Sequence, residues 1–155
     1  MMQARNPFAA SEPLHDHATA VVIGEKGVAI LGPPGAGKSA LAERLIAEAR
    51  LRGRFARLVG DDRIRFTPRG DRVLAAPHPV LRGRIERRGI GIAEVEWIDR
   101  AVIALVVTIA AASERLPAPT ETTIALAGIA VPRITLDSRH DVAGRAHLVL
   151  DMLDA

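Results

Sequence analysis

Gly27-Val28-Ala29-Ile30-Leu31-Gly32-Pro33-Pro34-Gly35-Ala36-Gly37-Lys38-Ser39 decides the fold of this chain. The apolar run 27–31 reads as a buried strand, and residues 32–39 fit the pattern G-x-x-x-x-G-K-[ST]. The segment from Lys38 to Arg52 then carries Leu41, Ala42, Leu45, Ile46 and Ala49 at i, i+3, i+4 spacing, one face of a helix. Strand, glycine-rich turn and helix together form the context in which the pattern has a mechanism. Gly32, Gly35 and Gly37 admit backbone angles that let successive N–H groups converge on a phosphate. The helix start adds its positive dipole end. Residues Gly32, Pro33, Pro34, Gly35, Ala36, Gly37, Lys38 and Ser39 are therefore the expected nucleotide-phosphate site. Lys38 is expected to reach the terminal phosphates of ATP, and Ser39 to ligate Mg²⁺.

Working outward, His17 to Ile23 reads as a strand turning through Gly24–Gly27 into the strand before the loop. Gly53 ends the helix, and Phe55 to Gly60 is the next strand, closing on Asp61-Asp62. Two short strands, 64–67 and 72–76, flank Pro68-Arg69-Gly70-Asp71. Residues 81–96 lack clean periodicity and read as a basic, apolar functional loop. Ala101 to Ile109 is the expected buried central strand. A loop over 113–120 follows, then strands 124–127 and 129–136. The segment from Ala143 to Leu153 suits a strand or a short helix equally. So many strands for so few helices depart from a regular βαβ alternation. The expected class is α/β: a P-loop core with a mixed β-sheet and flanking antiparallel hairpins.

The chain of 155 residues fits one domain. It contains no cysteine, which excludes disulfides and thiolate metal sites. No stretch suits a signal peptide or a bilayer span, so a cytoplasmic protein without a membrane partner is expected. The net charge is +3, and the only lysines are Lys26 and Lys38. Arginines cluster at 82, 84, 87 and 88. The modest charge and scarce aromatics argue against a nucleic-acid partner, and a phosphorylated or acidic protein suits the cluster better.

The paired carboxylates Asp61 and Asp62 permit a division of labour. One can hold the metal, while the other accepts a proton from an attacking hydroxyl. Glu86 reads equally as a metal ligand or as an ion-pair partner of its arginine neighbours. Arg115, in the loop after the long strand, is on chemistry alone one candidate to stabilise charge on a transferring phosphoryl group, with a solvated surface arginine as the other reading. His17, on residue type alone, is a surface histidine.

In order along the chain these pieces resemble the catalytic domain of HPr kinase/phosphorylase, from about His17 to Arg145. The phosphate loop, Leu58-Val59-Gly60-Asp61-Asp62, the stretch from Pro77 to Ile92, Glu114-Arg115-Leu116 and Val131-Pro132-Arg133-Ile134-Thr135 carry the likeness. Glu86-x-Arg88-Gly89-x-Gly91-Ile92 is its most specific part. The resemblance implies the fold of the HPr kinase/PEP carboxykinase-like catalytic domain. It implies ATP- and Mg²⁺-dependent phosphorylation of a serine on the phosphocarrier HPr. It also implies the reverse phosphorolysis, in which inorganic phosphate yields pyrophosphate.

By the same likeness His17, Lys38, Asp61, Asp62 and Arg115 are catalytic, and Ser39, Glu86 and Asp62 bind metal. Glu86, Arg87, Arg88, Gly89, Ile90, Gly91 and Ile92 form a catalytic loop serving both directions. A homo-oligomer is implied too. The compact chain looks like the short alphaproteobacterial form, with a flexible stretch 1–16, a catalytic domain 17–155 and no family N-terminal domain. Two rivals share the phosphate loop: a small-molecule kinase, and a nucleotide-sensing module without turnover.

Overall fold

The computed structural model describes residues 14–110 and 122–154. Chain order begins with β1 (Leu14–Asp16), β2 (Ala18–Ile23), β3 (Lys26–Leu31), α1 (Lys38–Leu51) and β4 (Ala56–Gly60). There follow β5 (Arg63–Arg69), β6 (Arg72–Pro77), β7 (Arg84–Arg87) and β8 (Gly91–Glu94). The last elements are β9 (Ala101–Ala110), β10 (Thr123–Leu126), β11 (Ile129–Asp137) and α2 (Val142–Asp154). Nine strands form one mixed sheet along the order β1-β5-β6-β9-β3-β2-β4, with β11 on β9 and β10 on β11. β7 and β8 make a separate antiparallel hairpin.

β9 is the spine. On one side its residues 103–108 run parallel to β3. On the other, its first two residues pair with β6 and its last five run parallel to β11. A long, mostly buried β-branched run suits a strand covered on both faces. The parallel pairing points the C-terminal ends of β3, β9 and β11 the same way. β4, antiparallel to β2, which is itself antiparallel to β3, ends there too. Leu31, Gly60 and Ala110 therefore lie at one end of the sheet, and the start of β2 lies beside them.

Two apolar layers hold this arrangement. On one face Leu41, Leu45 and Ala49 of α1 and Ala146, Val149, Leu150 and Leu153 of α2 pack on Val28, Ile30, Leu105 and Val107. On the other, Ala29, Leu31 and Val106 meet Ile64, Phe66, Val73 and Ala75 of the β5–β6 hairpin, with Leu126 and Val131. β9 changes its face parity midway. Gly27 pairs with Ile103 but Val28 with Leu105, so Ala104 is an extra residue. That irregularity brings the backbones so close that a Cβ on Gly27 would lie 2.5 Å from the Val102 carbonyl oxygen.

Three expectations change. The strand expected from His17 starts at Ala18. His17 is a turn residue at φ 63° and joins β2 to β1, so regular structure begins before residue 17. The stretch expected as a loop over 81–96 is the β7–β8 hairpin. Its sole fully buried side chain is Ile85, which is why no alternation was visible. The undecided C-terminal segment is helix α2, and Gly144 N–H donates to Asp141 Oδ1 at 2.6 Å in its first turn.

Gly27→Ala is expected to destabilise the fold by about 1–3 kcal/mol, because the clash is with backbone that cannot rotate away. Urea unfolding measures this, and a midpoint equal to wild type would contradict the bulge geometry.

Candidate active site at the phosphate loop

Helix α1 begins directly after Gly37, which sits at φ 92°, ψ 26°; Gly35 is at φ 80°. Both lie in the left-handed region that a β-carbon disfavours. Ala36 N–H closes the turn onto the Pro33 carbonyl at 3.1 Å, and Leu41 N–H starts the helix ladder on the Gly37 carbonyl at 3.0 Å. The Lys38 ammonium folds back over the loop and donates to the carbonyls of Gly32 and Pro33, both at 2.9 Å. Burial holds its pKa below the ordinary 10.5, against the opposing pull of Asp62 and then Asp61.

The two aspartates take different positions. Asp61 is 6% exposed. Its Oδ1 accepts the hydroxyls of Thr19 and Ser39, both at 2.7 Å, and its Oδ2 accepts the Glu86 N–H at 3.0 Å. One carboxylate thus ties β2, α1 and the β7–β8 hairpin together. Asp62 turns outward at φ 66°, a conformation Asp tolerates better than most residues. Its side chain is 59% exposed, with Oδ1 at 3.3 Å from His17 Nδ1. The backbones of these two residues also meet, His17 N–H donating to the Asp62 carbonyl at 2.6 Å.

A cleft of about 630 Å³ opens over the loop. Lys38, Ser39 and Gly37 form one wall, His17 and Asp62 another, and Glu86, Arg87, Arg88 and Ile90 of the hairpin a third. The hairpin is latched to α1 by Arg87, whose Nε and Nη2 both lie 2.9 Å from Glu43 Oε1. That contact raises the Arg87 pKa. The backbone turns that shape the hairpin tip are Gly89 and Gly91, at φ 76° and 114°. Ile90 and Ile92 are exposed.

His17, Lys38, Ser39, Asp61, Asp62 and the hairpin residues Glu86, Arg87 and Arg88 are therefore brought to one cleft. Arg115 lies outside the described residues. The expected metal set of Ser39, Glu86 and Asp62 lines this cleft; within it Ser39 donates to Asp61, and Asp62 lies against His17. Asp61 and Asp62 follow the end of β4, and the left-handed backbone at Asp62 turns the second carboxylate away from the first. Among the described residues no group of three or more His, Asp or Glu could by itself hold a metal ion. The donor set still suits Mg²⁺, which binds through one or two protein oxygens together with nucleotide phosphates and water. The left-handed glycines of the loop, the buried ammonium and the Ser39 hydroxyl fit a metal–polyphosphate. Sequence reasoning missed Thr19, whose only signal is a polar residue in an otherwise apolar strand, and Glu43.

Asp61→Asn would replace three charge-assisted bonds by neutral ones and force the Thr19 and Ser39 hydroxyls to accept instead of donate, and is expected to cost about 1–3 kcal/mol of stability. Asp62→Asn should leave the urea midpoint near wild type, since Asn also tolerates left-handed backbone. Equal losses would contradict the split between the two carboxylates. The lowered Lys38 pKa has a sign of its own. A bound polyanion favours the charged ammonium, so ATP binding should take up a proton at pH above the lowered pKa of the free protein, and weaken as pH rises there. Calorimetry in buffers of different ionisation enthalpy reads this, and zero proton uptake there would contradict it.

Comparison with known proteins agrees with the geometry. The HPr serine kinase C-terminal domain family matches residues 8–140. The HPr kinase/phosphorylase of Mycoplasma mycoides subsp. mycoides SC is 38% identical over 85 residues, 55% of this chain. That match spans a quarter of the curated relative's length (25%). The solved structure of the Hpr(Ser) kinase/phosphatase from Coxiella burnetii superposes with a TM-score of 0.72 at 27% identity, over 88% of this chain and 94% of that one. Among the described residues no helix is long and apolar enough to cross a membrane. With the family match covering most of its length, this chain belongs to the HPr serine kinase C-terminal domain family.

Proposed function

We propose that this protein transfers the γ-phosphoryl group of ATP to a serine of an HPr-type phosphocarrier, and also runs the phosphorolytic reverse reaction. The observation that carries this reading is the opposition across one cleft of a polyanion cradle, Gly35 to Ser39, and an exposed carboxylate, Asp62. Family membership supports the choice of substrate.

In the forward direction the loop amides and Lys38 hold the β- and γ-phosphates and neutralise charge on the transferring group. Asp61 holds the Ser39 hydroxyl in place, and Ser39 presents its oxygen to Mg²⁺; Glu86 stands at the same cleft as a further ligand. Bound Mg²⁺ supplies charge neutralisation at the phosphate oxygens. The acceptor seryl oxygen attacks the γ-phosphorus, its O–P bond forms, and the bond to the β,γ-bridging oxygen breaks. ADP leaves, and Asp62 takes the seryl proton as general base. His17 orients Asp62 through the 3.3 Å contact.

In reverse, an oxygen of inorganic phosphate attacks the phosphoserine phosphorus. The seryl oxygen leaves with the proton returned by Asp62, and pyrophosphate forms. Arg87, Arg88 and the glycine-shaped hairpin tip line the space the acceptor must enter, and Arg115 is proposed to join the site as a further cation. The catalytic unit is proposed to be the single domain from residue 17 onward, acting in the cytoplasm.

The test is incubation with purified HPr, ATP and Mg²⁺, read by the mass of the carrier, then repeated with added inorganic phosphate. One added phosphoryl group on HPr is expected, lost again with pyrophosphate release when phosphate is in excess. Asp62→Asn should cut turnover by about 10²–10⁴-fold with ATP still bound, whereas Lys38→Met should lose nucleotide binding itself. Unmodified HPr alongside phosphorylation of a small acceptor would replace this reading with a small-molecule kinase.

A further inference from the structure

Four polar or charged residues are buried among the described residues: Thr19, Lys38, Asp61 and Arg145. The first three build the cleft. Arg145 comes from α2, beyond the residues matched by the family, and is 7% exposed. Its Nη1 donates to the carbonyl of Ala36 at 3.4 Å and its Nε to the carbonyl of Asp141 at 3.4 Å. A Cβ on Gly37 would sit 3.5 Å from Nη2 and 3.7 Å from Nη1, so the guanidinium lies directly against the loop. Among the described residues no carboxylate pairs with it. A buried guanidinium that meets only carbonyls is costly unless its charge has work to do.

We propose that Arg145 is a positioning residue of the phosphate loop, and that through it helix α2 is linked to occupancy of the loop by a polyphosphate. In a planar trans peptide the carbonyl and the following N–H point in opposite directions. Holding the Ala36 carbonyl toward α2 therefore turns the Gly37 N–H away from α2, toward the cleft. Gly37 is free enough to adopt other conformations, and the contact selects the one that presents its amide to an anion. The guanidinium charge adds to that of Lys38 behind the loop. Its two long hydrogen bonds leave donors that can tighten when a polyanion draws the loop into register. The partner chemistry is that of a nucleoside triphosphate.

This inference rests on the reading of the loop as a polyphosphate site. The test is titration of the full chain with Mg-ATP. Arg145→Gln is expected to raise the dissociation constant by about tenfold or more, and Arg145→Lys, which keeps charge without the fork, by less. Lys26→Met is the control. Lys26 Nζ donates to the Leu153 carbonyl at 2.6 Å, so its loss loosens the far end of α2 without touching the loop. It should lower thermal stability and leave ATP affinity unchanged. Wild-type affinity in folded Arg145→Gln, or an equal loss in Lys26→Met, would overturn the proposal. On the native protein, ATP should slow amide exchange in residues 142–146. Unaltered exchange there overturns the proposal even if the Gln variant does not fold. A wild-type chain that binds no ATP removes the phosphate-site reading itself, an outcome distinct from binding that ignores Arg145.

Discussion

The Asp61 carboxylate is the constraint on which the site depends. It is buried, and it accepts hydrogen bonds from Thr19 of β2, Ser39 of α1 and the Glu86 backbone of the hairpin. A buried charge without such partners would be expelled or neutralised. With three donors, each charge-assisted bond contributes on the order of 1.5–3 kcal/mol. The same atoms fix three geometries together: the rotamer of Ser39, the height of the hairpin above the loop, and the outward turn of Asp62. Asp62 is left facing the cleft, half exposed, in the position the proposed general base would occupy, while Asp61 is buried behind it.

The sheet delivers these groups to one edge. Parallel pairing of β9 with β3 and β11 aligns three strand ends, and the hairpin path through β2 returns the chain to the same edge before β4 brings the aspartates. β4 does not lie next to β3; β2 stands between them, and Thr19 bridges the gap by bonding to Asp61. Apolar burial on both faces keeps this edge rigid. The polar groups there then need only small side-chain adjustments to meet a ligand. The β7–β8 hairpin is the exception. Its base is anchored by Ile85, Ala93, the Asp61 contact and the backbone bonds of Glu96 and Ile98 to Leu58, whereas nearer its tip Arg87 is held by an exposed ion pair with Glu43, a weak tie.

Much of this was legible in the sequence where burial imposed a period. Leu41, Leu45 and Ala49 declare α1, and Ala101 to Ala110 declares a two-sided strand. The loop between strand and helix was legible because its glycines and Lys38 have a shared mechanism. The hairpin was not, since Arg84, Glu86, Arg87 and Ile92 all face solvent and leave no alternation. α2 was ambiguous because Leu148-Val149-Leu150 suits either element. The Asp141 cap and the buried spacing of Arg145, Ala146, Val149, Leu150 and Leu153 resolve it in the structure. The roles of Asp61 and Asp62 could not be separated from residue type. Only the left-handed turn at Asp62, past the end of β4, decides which one faces inward. The contact of Arg145 with Ala36 was equally hidden, because it spans most of the chain.

The most direct measurement is a crystal structure with Mg²⁺ and a non-hydrolysable ATP analogue. The account predicts the γ-phosphorus over the Gly35–Ser39 amides, with an Asp62 carboxylate oxygen no more than about 6 Å away, room for one hydroxyl oxygen between them. A γ-phosphate bound outside the loop, or an Asp62 carboxylate turned away with core side chains between, would contradict it.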